Sequence, residues 1–249
     1  MKRILIAALV STVVGGAAYA ASASNTAALS NAARPATDTS RDEFRKPAEL
    51  MDFAGIKPGM TVVDLLPGGG YYTHLFAKAV GPQGKVIAYF GVQYDARLTT
   101  AGKDPNNQFT DLKQLYPNLS VQHAPLAQFS TPQPVDLIWT SDNYHDTHNA
   151  SYATDVAAMN KGIFAALKPG GYFIVVDHRA VKGAGAGATE ALHRQDEDIA
   201  KREIEAAGFK LVAESNILTN AADDDSKRVF EAGEHDHTDQ MVLKFQKPL

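Results

Sequence analysis

A chain of 249 residues that contains no cysteine must hold its fold together without a disulfide, by burying apolar side chains. That length is enough for one sizeable domain and short for two. The formal net charge is −4, from 24 basic and 28 acidic residues with no basic run. This charge argues against nucleic acid and anionic membrane surfaces as partners.

The first twenty residues have the pattern of a secretory signal peptide. Lys2 and Arg3 form a positive start, residues 4–14 are almost entirely apolar, and residues 18–20 place small side chains at a cleavage site. The alternative, an uncleaved anchor, is disfavoured because the apolar run is too short to span a bilayer. We therefore expect cleavage near Ala20 and a periplasmic or secreted mature protein, with no membrane span and a net charge of −6, since cleavage removes two basic residues and no acidic one.

After the predicted signal peptide, residues 21–40 are mostly Ala, Ser, Thr and Asn, which predicts a flexible linker before a domain over residues 41–249. The domain opens with a predicted helix over residues 42–53 that contains Pro47. Helices are also predicted over residues 71–80, 152–167 and 190–207, the third ending at the breaker run Lys168-Pro169-Gly170-Gly171.

Between these helices the chain alternates with apolar segments of strand length. The predicted strands are 61–66, 85–90, 119–123, 135–140, 172–177, 210–215 and 240–245. Strands that alternate with helices indicate a Rossmann-like, doubly wound, mostly parallel α/β sheet covered by helices on both faces.

A glycine-rich turn, Pro67-Gly68-Gly69-Gly70, joins the first strand to the following helix. Glycines let the backbone turn tightly and let a ligand approach the amide groups at the start of the helix. Alone, such a turn is weak evidence for a ligand site. It lies at the carboxyl edge of the predicted sheet, however, where ligands bind in open α/β folds.

The order of motifs around this turn resembles that of the class I S-adenosylmethionine (SAM)-dependent methyltransferases. Gly-Met-Thr-Val-Val-Asp precedes the turn, Gly-Lys-Val-Ile-Ala follows the first helix of the unit, and Leu-Lys-Pro-Gly-Gly-Tyr precedes the fifth strand. The resemblance covers about residues 45–249. More narrowly, Pro-Gly-Gly-Gly-Tyr-Tyr-Thr and Asn-Tyr-His-Asp resemble a subgroup of exported, predicted methyltransferases.

The resemblance implies that SAM binds at the glycine turn. The residues that it assigns to the cofactor are Asp64, Pro67, Gly68, Gly69, Gly70, Phe90, Asp142 and Asn143. The sequence departs from the family at Leu66, where a glycine is usual, and at Phe90 and Ala124, where acidic residues normally bind the ribose and the adenine amine. Two missing polar anchors, at roughly 1–3 kcal/mol each, predict SAM binding weaker by about a hundredfold.

Polar side chains are dense after the fourth and fifth strands, at the same predicted edge. We expect His145 to overhang the cleft and act as a general base, with Asp142 or Asp146 orienting its imidazole and His178 close by. A metal site built from His145, His148, Asp142 and His178 is the alternative. The spacing of these residues matches no diagnostic metal motif, so the prediction is catalysis without a metal.

Three weaker clusters have surface interpretations. His193, Arg194 and Asp196 are expected on a charged helix face, behind a glycine-rich stretch, residues 183–187, that could act as a lid. Residues 234–237, Glu-His-Asp-His, are expected in a solvated hairpin turn far from the cleft. Arg41 and Arg45, just before the domain's first strand, are expected to be solvated, although this fold often closes over its cofactor there.

The sequence thus favours a SAM-dependent methyltransferase that acts on an unidentified small or exported substrate. The alternative is a periplasmic ligand-binding protein, or a non-methylating enzyme, that uses the cofactor cleft for another ligand. Phe90 favours this alternative, because an aromatic ring can stack on a ligand ring without a ribose.

Overall fold

The computed structural model describes residues 22–107, 109–231 and 235–249. The predicted signal peptide and its cleavage site lie outside these residues. Within the described ranges, no helix combines the length and the apolar character needed to cross a membrane.

Seven strands form one sheet, in the order β3-β2-β1-β4-β5-β7-β6. All neighbouring pairs are parallel except those made by β7, which runs antiparallel to both β5 and β6. The strands are β1 (Thr61–Leu65), β2 (Lys85–Gly91), β3 (Leu119–Ala124), β4 (Val135–Ser141), β5 (Leu167–His178), β6 (Lys210–Ser215) and β7 (Gln240–Gln246). The predicted Rossmann-like, mostly parallel α/β sheet is confirmed.

Helices cover both faces of the sheet. They are α1 (Ala23–Leu29), α2 (Ala36–Thr39), α3 (Asp42–Arg45), α4 (Pro47–Ala54), α5 (Tyr71–Ala79), α6 (Val92–Thr100), α7 (Thr110–Leu115), α8 (Val156–Ala166), α9 (Gly187–Leu192) and α10 (Glu197–Ala206). Neighbouring strand residues such as Val62 and Val63 face opposite sides and enter two separate buried clusters. This burial on both faces explains why the central strands read as continuous apolar runs.

Three helix predictions need correction. The first helix divides into α3 and α4 because Lys46 adopts a left-handed φ of 41° before Pro47. The late helix divides into α9 and α10 because His193 adopts a φ of 53°. Finally, α8 ends at Ala166, but the breaker run that follows it already belongs to β5.

The stretch predicted as a flexible linker carries two helices. Ser22 accepts a hydrogen bond from the backbone N–H of Asn25 at the start of α1. The Asn25 side chain is buried and donates to Asp52 Oδ1 at 2.6 Å, and Ala28 is buried in the core. The linker prediction is therefore wrong for this segment, because the small residues of α1 and its one large apolar side chain, Leu29, pack against α4, α5 and the core.

Candidate functional site

The glycine turn follows β1 at the carboxyl edge of the sheet, as predicted. Leu66, Gly68 and Gly70 have positive φ values of 58°, 54° and 93°. Leu66 thus holds the left-handed conformation that glycine adopts without cost, at the position where the resembling family has a glycine. Asn143, after β4, donates from its Nδ2 to the Leu66 carbonyl at 3.0 Å and so fixes this conformation.

Asp64 lies beneath the turn, with its side chain buried in the sheet. Thr73 Oγ1 donates to Asp64 Oδ2 at 2.6 Å. Burial raises the pKa of the Asp64 carboxyl to about 7, although the bond from Thr73 and the charge of Arg45 oppose the shift. Asp64 therefore supports the turn from below.

An aromatic cluster occupies the end of β2. Phe90 lies there, at the position where the resembling family has an acidic residue. Phe90 stacks on His123 and on Tyr94, with ring centroids 5.2 and 5.3 Å apart. The ring of Phe109 meets Phe90 edge-on at 5.2 Å. A Cβ atom on Gly70 would lie 3.0 Å from the Phe109 Cζ. Phe109 therefore bridges the glycine turn and the end of β2.

Arg45 is not solvated, contrary to prediction. It lies across the end of β4, where it pairs with Asp142 Oδ2 at 2.8 Å and donates to Ser141 Oγ at 3.0 Å. Its guanidinium also lies 4.5 Å from the centroid of the Tyr71 ring. Burial alone would raise the pKa of Asp142, but the charge of Arg45 and the weaker charges of neighbouring basic groups together outweigh it and lower that pKa.

The segment that contains residues 235–237 is also not remote from the cleft, as had been predicted. Asp236 accepts two hydrogen bonds from Arg41, from Nε at 2.7 Å and from Nη2 at 2.6 Å. The His235 ring lies 5.3 Å from the ring of His178 at the end of β5. The long connection between β6 and β7 therefore returns over the carboxyl edge and closes it together with α3.

His145 begins the turn after β4 and is buried, with 2 % of its surface exposed. The prediction that it overhangs the cleft is therefore wrong. Its Nδ1 lies 2.7 Å from Asp177 Oδ1, and its backbone N–H donates to Asp177 Oδ2 at 2.7 Å. Asp177 thus holds Nδ1 of the imidazole, the predicted Asp146 lies 3.5 Å from Nε2, and the predicted Asp142 is instead paired with Arg45. Burial lowers the pKa of His145, but the charges of Asp177 and Asp146 outweigh it and raise the pKa.

The other nitrogen of this ring faces a second histidine and a carboxylate. His145 Nε2 lies 3.2 Å from His193 Nδ1 and 3.5 Å from Asp146 Oδ1, and the last two atoms are 3.6 Å apart. Asp146 Oδ1 also accepts from Asn149 Nδ2 at 2.9 Å. We call these three residues, His145, Asp146 and His193, the histidine cluster.

The remaining predicted residues lie outside this cluster. His148 turns away and its Nε2 lies 2.8 Å from Glu203 in α10. Arg194 is buried in an ion pair with Asp223 at 2.8 Å, and the Asp196 side chain caps α10. The expected charged helix face at residues 193–196 is therefore wrong. The predicted alternative metal set, which included His148, is likewise not brought together.

His178 lies beside the histidine cluster without joining it. Its Nδ1 is 2.6 Å from Thr238 Oγ1, and its Nε2 is 3.9 Å from Asp142 Oδ1. Burial lowers the pKa of His178 to about 4, against the raising effect of Asp142 and Asp177. A neutral His178 therefore links β5 to the segment that precedes β7.

No protein-family model matches this sequence, and no curated protein matches it. Solved structures do share its fold. A SAM-dependent methyltransferase from Aquifex aeolicus is 18% identical, with 88% of this chain and 97% of that chain covered at a TM-score of 0.56. A putative sarcosine dimethylglycine methyltransferase from Galdieria sulphuraria is 14% identical, with 85% and 88% covered and a TM-score of 0.57. A putative methyltransferase from Bacillus halodurans is 18% identical, with 84% and 100% covered and a TM-score of 0.52.

The chain has the class I methyltransferase fold. In this fold the glycine turn, the aromatic cluster and the histidine cluster all lie along one sheet edge. A cavity of about 410 Å³ adjoins that edge, lined by Ser40, Arg41, Phe44 and residues 229–231 and 235–237. A larger cavity of about 760 Å³ lies at the opposite, amino edge of β1, β2 and β3. Parallel α/β sheets bind ligands at their carboxyl edge, so the smaller cavity is the relevant one.

Sequence reasoning missed the parts of this site that come from distant segments. Asp177 was seen only as the end of a strand, and Phe109 was not singled out. Asp177 did carry a usable signal, since it follows four buried apolar residues at the carboxyl end of a methyltransferase-fold strand. The left-handed conformation that places His193 in the cluster has no such signal in the sequence.

Proposed function

We propose that this protein is a SAM-dependent methyltransferase that acts on a small molecule. The observation that carries the proposal is the placement of an open glycine turn and a histidine cluster on one edge of a class I methyltransferase fold. A fold by itself does not fix a function. What supports the function is how these residues fit the cofactor and the acceptor.

The glycine turn and Asp142 fit the amino-acid end of SAM. Above Gly69 there is free space, since a Cβ atom built there lies more than 4 Å from every atom of the described residues. No described residue donates a hydrogen bond to the buried Asp142 Oδ1, and an unsatisfied buried carboxylate oxygen is costly. An ammonium group such as that of SAM is a suitable donor. Gly68, Gly69, Gly70, Asp142 and Asn143 are therefore the residues proposed to hold this end.

The adenosine end needs a rearrangement, because Phe109 lies between the glycine turn and Phe90. In this fold, the space between the first strand's turn and the end of the second strand is where the nucleoside lies. Adenosine binding therefore requires the Phe109 ring to leave Gly70. Phe90 then offers an aromatic face in place of the missing acid, so stacking replaces the polar anchor.

SAM supplies an electrophilic methyl group when it is bound. The chain has to position the acceptor and help it lose its proton. The histidine cluster suits this task, because Asp177 orients His145 and leaves Nε2 facing Asp146 and His193. Asp142 and His178 line the same edge without reaching the cluster's polar atoms at hydrogen-bond distance.

The acceptor is proposed to be small. The cavity of about 410 Å³ falls within the usual range for small-molecule sites, roughly 300–1,000 Å³. Phe230 joins this cavity to the cluster, because its ring packs on His193 with centroids 4.7 Å apart.

The mature protein is further proposed to be exported and to begin at Ala21, which N-terminal sequencing of exported material would test.

The decisive experiment is a calorimetric titration of the mature protein with SAM, with Gly69→Val as the matched variant. We expect wild-type binding weaker than about 10 μM, or roughly −7 kcal/mol, because two polar anchors are missing. A Cβ atom at position 69 has no neighbour within 4 Å among the described residues, so the variant should fold while its branched side chain blocks the ligand and abolishes binding.

Two outcomes would contradict the proposal. The first is that SAM shows no binding while mass spectrometry finds another ligand that co-purifies with the protein. The second is that the folded Gly69→Val variant keeps wild-type affinity for SAM, since the turn would then have no part in the cofactor site.

A further inference from the structure

The histidine cluster has the composition and the geometry of a metal site. A divalent transition-metal ion accepts two imidazole nitrogens and one carboxylate oxygen as ligands, with one or more positions left open. At roughly 2.1 Å from each ligand, tetrahedral angles place the ligand atoms about 3.4 Å apart. The three atoms of the cluster are 3.2, 3.5 and 3.6 Å apart. We infer that His145, Asp146 and His193 form a binding site for a divalent transition-metal ion.

The groups behind the ligands support this assignment. Asp177 accepts from His145 Nδ1, which leaves the Nε2 lone pair directed at the cluster. Histidine ligands commonly donate their other ring nitrogen to a carboxylate in this way. Asn149 in turn donates to the Asp146 carboxylate. Both the imidazole and the carboxylate are thus oriented by partners that are not themselves ligands.

The cluster is buried on one side and open on the other. The side chain of His145 is 3% exposed, whereas those of Asp146 and His193 are 16% and 22% exposed. An ion held by the three would be shielded from below and reachable from the side of Asp146 and His193. Three protein ligands with an open fourth position are typical of catalytic rather than structural metal sites.

Charge also favours a cation here. Asp146 and Asp177 both lie within 4 Å of the His145 ring nitrogens, and among the described residues neither carboxylate forms an ion pair with an arginine. The binding of the ion does not depend on the methyltransferase proposal. Its role does rest on it: a bound ion would lower the pKa of a hydroxyl or thiol acceptor, which then releases its proton to solvent.

The test measures metal binding directly, on untagged mature protein. The chain is dialysed against Zn²⁺ and, without oxygen, against Fe²⁺, and the bound metal is counted by elemental analysis and native mass spectrometry. Co²⁺ is then added as a spectroscopic probe, because its visible absorption is far stronger in four-coordinate than in six-coordinate sites. We expect one ion per chain. A four-coordinate spectrum would identify a zinc-type site and a six-coordinate one an iron-type site.

Three variants make the test specific. His193→Ala should weaken Zn²⁺ binding by at least a hundredfold, and Asp177→Asn by about 10–100-fold, as expected for a partner behind a ligand. His148→Ala is the matched control, because this nearby histidine pairs with Glu203, and it should bind as tightly as wild type. Absence of a bound ion in wild type would overturn the inference, as would equal loss in the His148 and His193 variants. Metal binding without SAM binding would overturn only the proposed function.

Discussion

The two halves of the carboxyl edge, one around His145 and the other around Phe90, differ in whether they contain hydrogen-bonded polar groups or packed aromatic rings. Around His145, every ring nitrogen has a partner within 3.5 Å, and the partners come from three separate segments. Around Phe90, the positions that bind a nucleoside in the resembling family hold packed aromatic rings. We call the part of the edge around His145 the chemistry half and the part around Phe90 the nucleoside half. The chemistry half is preorganised, whereas the nucleoside half is closed by its own side chains.

Under the proposed function, this difference separates the part of the edge that would act on the acceptor from the part that would bind the cofactor. A preorganised polar cluster needs little rearrangement to act. A nucleoside site filled by side chains lowers the apparent affinity for a cofactor, because only the fraction of protein molecules with the site open can bind it. The side chains of the chemistry half are thus held in place more firmly than the nucleoside half is held open. Substitutions in the two halves should separate turnover from cofactor affinity.

The largest expected effect is on turnover, from a substitution in the chemistry half. His145→Ala should lower kcat by about 10²–10⁴, the usual contribution of a group that assists proton removal. Because His145 is buried and bonded to Asp177, the variant should also lose roughly 1–3 kcal/mol of stability. Methyl transfer and thermal unfolding are measured together.

His148→Ala controls for this prediction, since His148 lies in the same turn but pairs with Glu203. It should keep most of the activity. Full activity in His145→Ala, measured on folded protein, would remove the histidine cluster from the reaction.

The next effect concerns Asp64, the buried carboxyl beneath the nucleoside half. Its pKa of about 7 when folded, against an ordinary value of 3.8, means that between about pH 4 and 7 the Asp64 carboxyl keeps a proton in the folded chain that it has lost in the unfolded chain. The contribution of Asp64 to stability must therefore fall as pH rises through this window. At roughly 1.4 kcal/mol per pKa unit, the full effect is at most about 4 kcal/mol.

Asp64→Asn should remove this pH dependence. Its free energy of unfolding relative to wild type, measured by urea unfolding, should therefore be higher at pH 8 than at pH 4. Asparagine can still accept from Thr73, so the turn keeps its support. The exposed Asp111→Asn serves as the control and should leave the pH profile unchanged. Parallel profiles for wild type and Asp64→Asn would show that the Asp64 carboxyl stays ionised in the folded chain.

The sequence predicted the sheet well because its strands are buried on both faces, so residues 86–90 and 172–176 read as unbroken apolar runs. The glycine turn was placed correctly because the preceding buried strand, β1, marks where the turn begins. The sequence could not predict the histidine cluster. Asp177 and His193 lie 32 and 48 residues from His145, and their meeting depends on strand order and on one left-handed residue.

The closing of the edge by Arg41 and Asp236, 195 residues apart, was beyond sequence reasoning too. Each residue looks like an ordinary surface charge when it is read along the chain. Only the return of the segment between β6 and β7 over α3 shows their role.

The smallest effect tests the closure of the nucleoside half. Phe109→Ala should tighten SAM binding by about tenfold, or roughly 1.4 kcal/mol. The reason is that the ring contacts both Phe90 and the space above Gly70, so SAM must displace it in wild type but not in the variant. Leu115→Ala, at an exposed position in α7, the helix that follows Phe109, should leave the affinity unchanged. Weaker SAM binding in Phe109→Ala would mean that the ring stays to stack on the adenine. The nucleoside half would then be a preformed aromatic site rather than a closed one, and the contrast with the chemistry half would disappear.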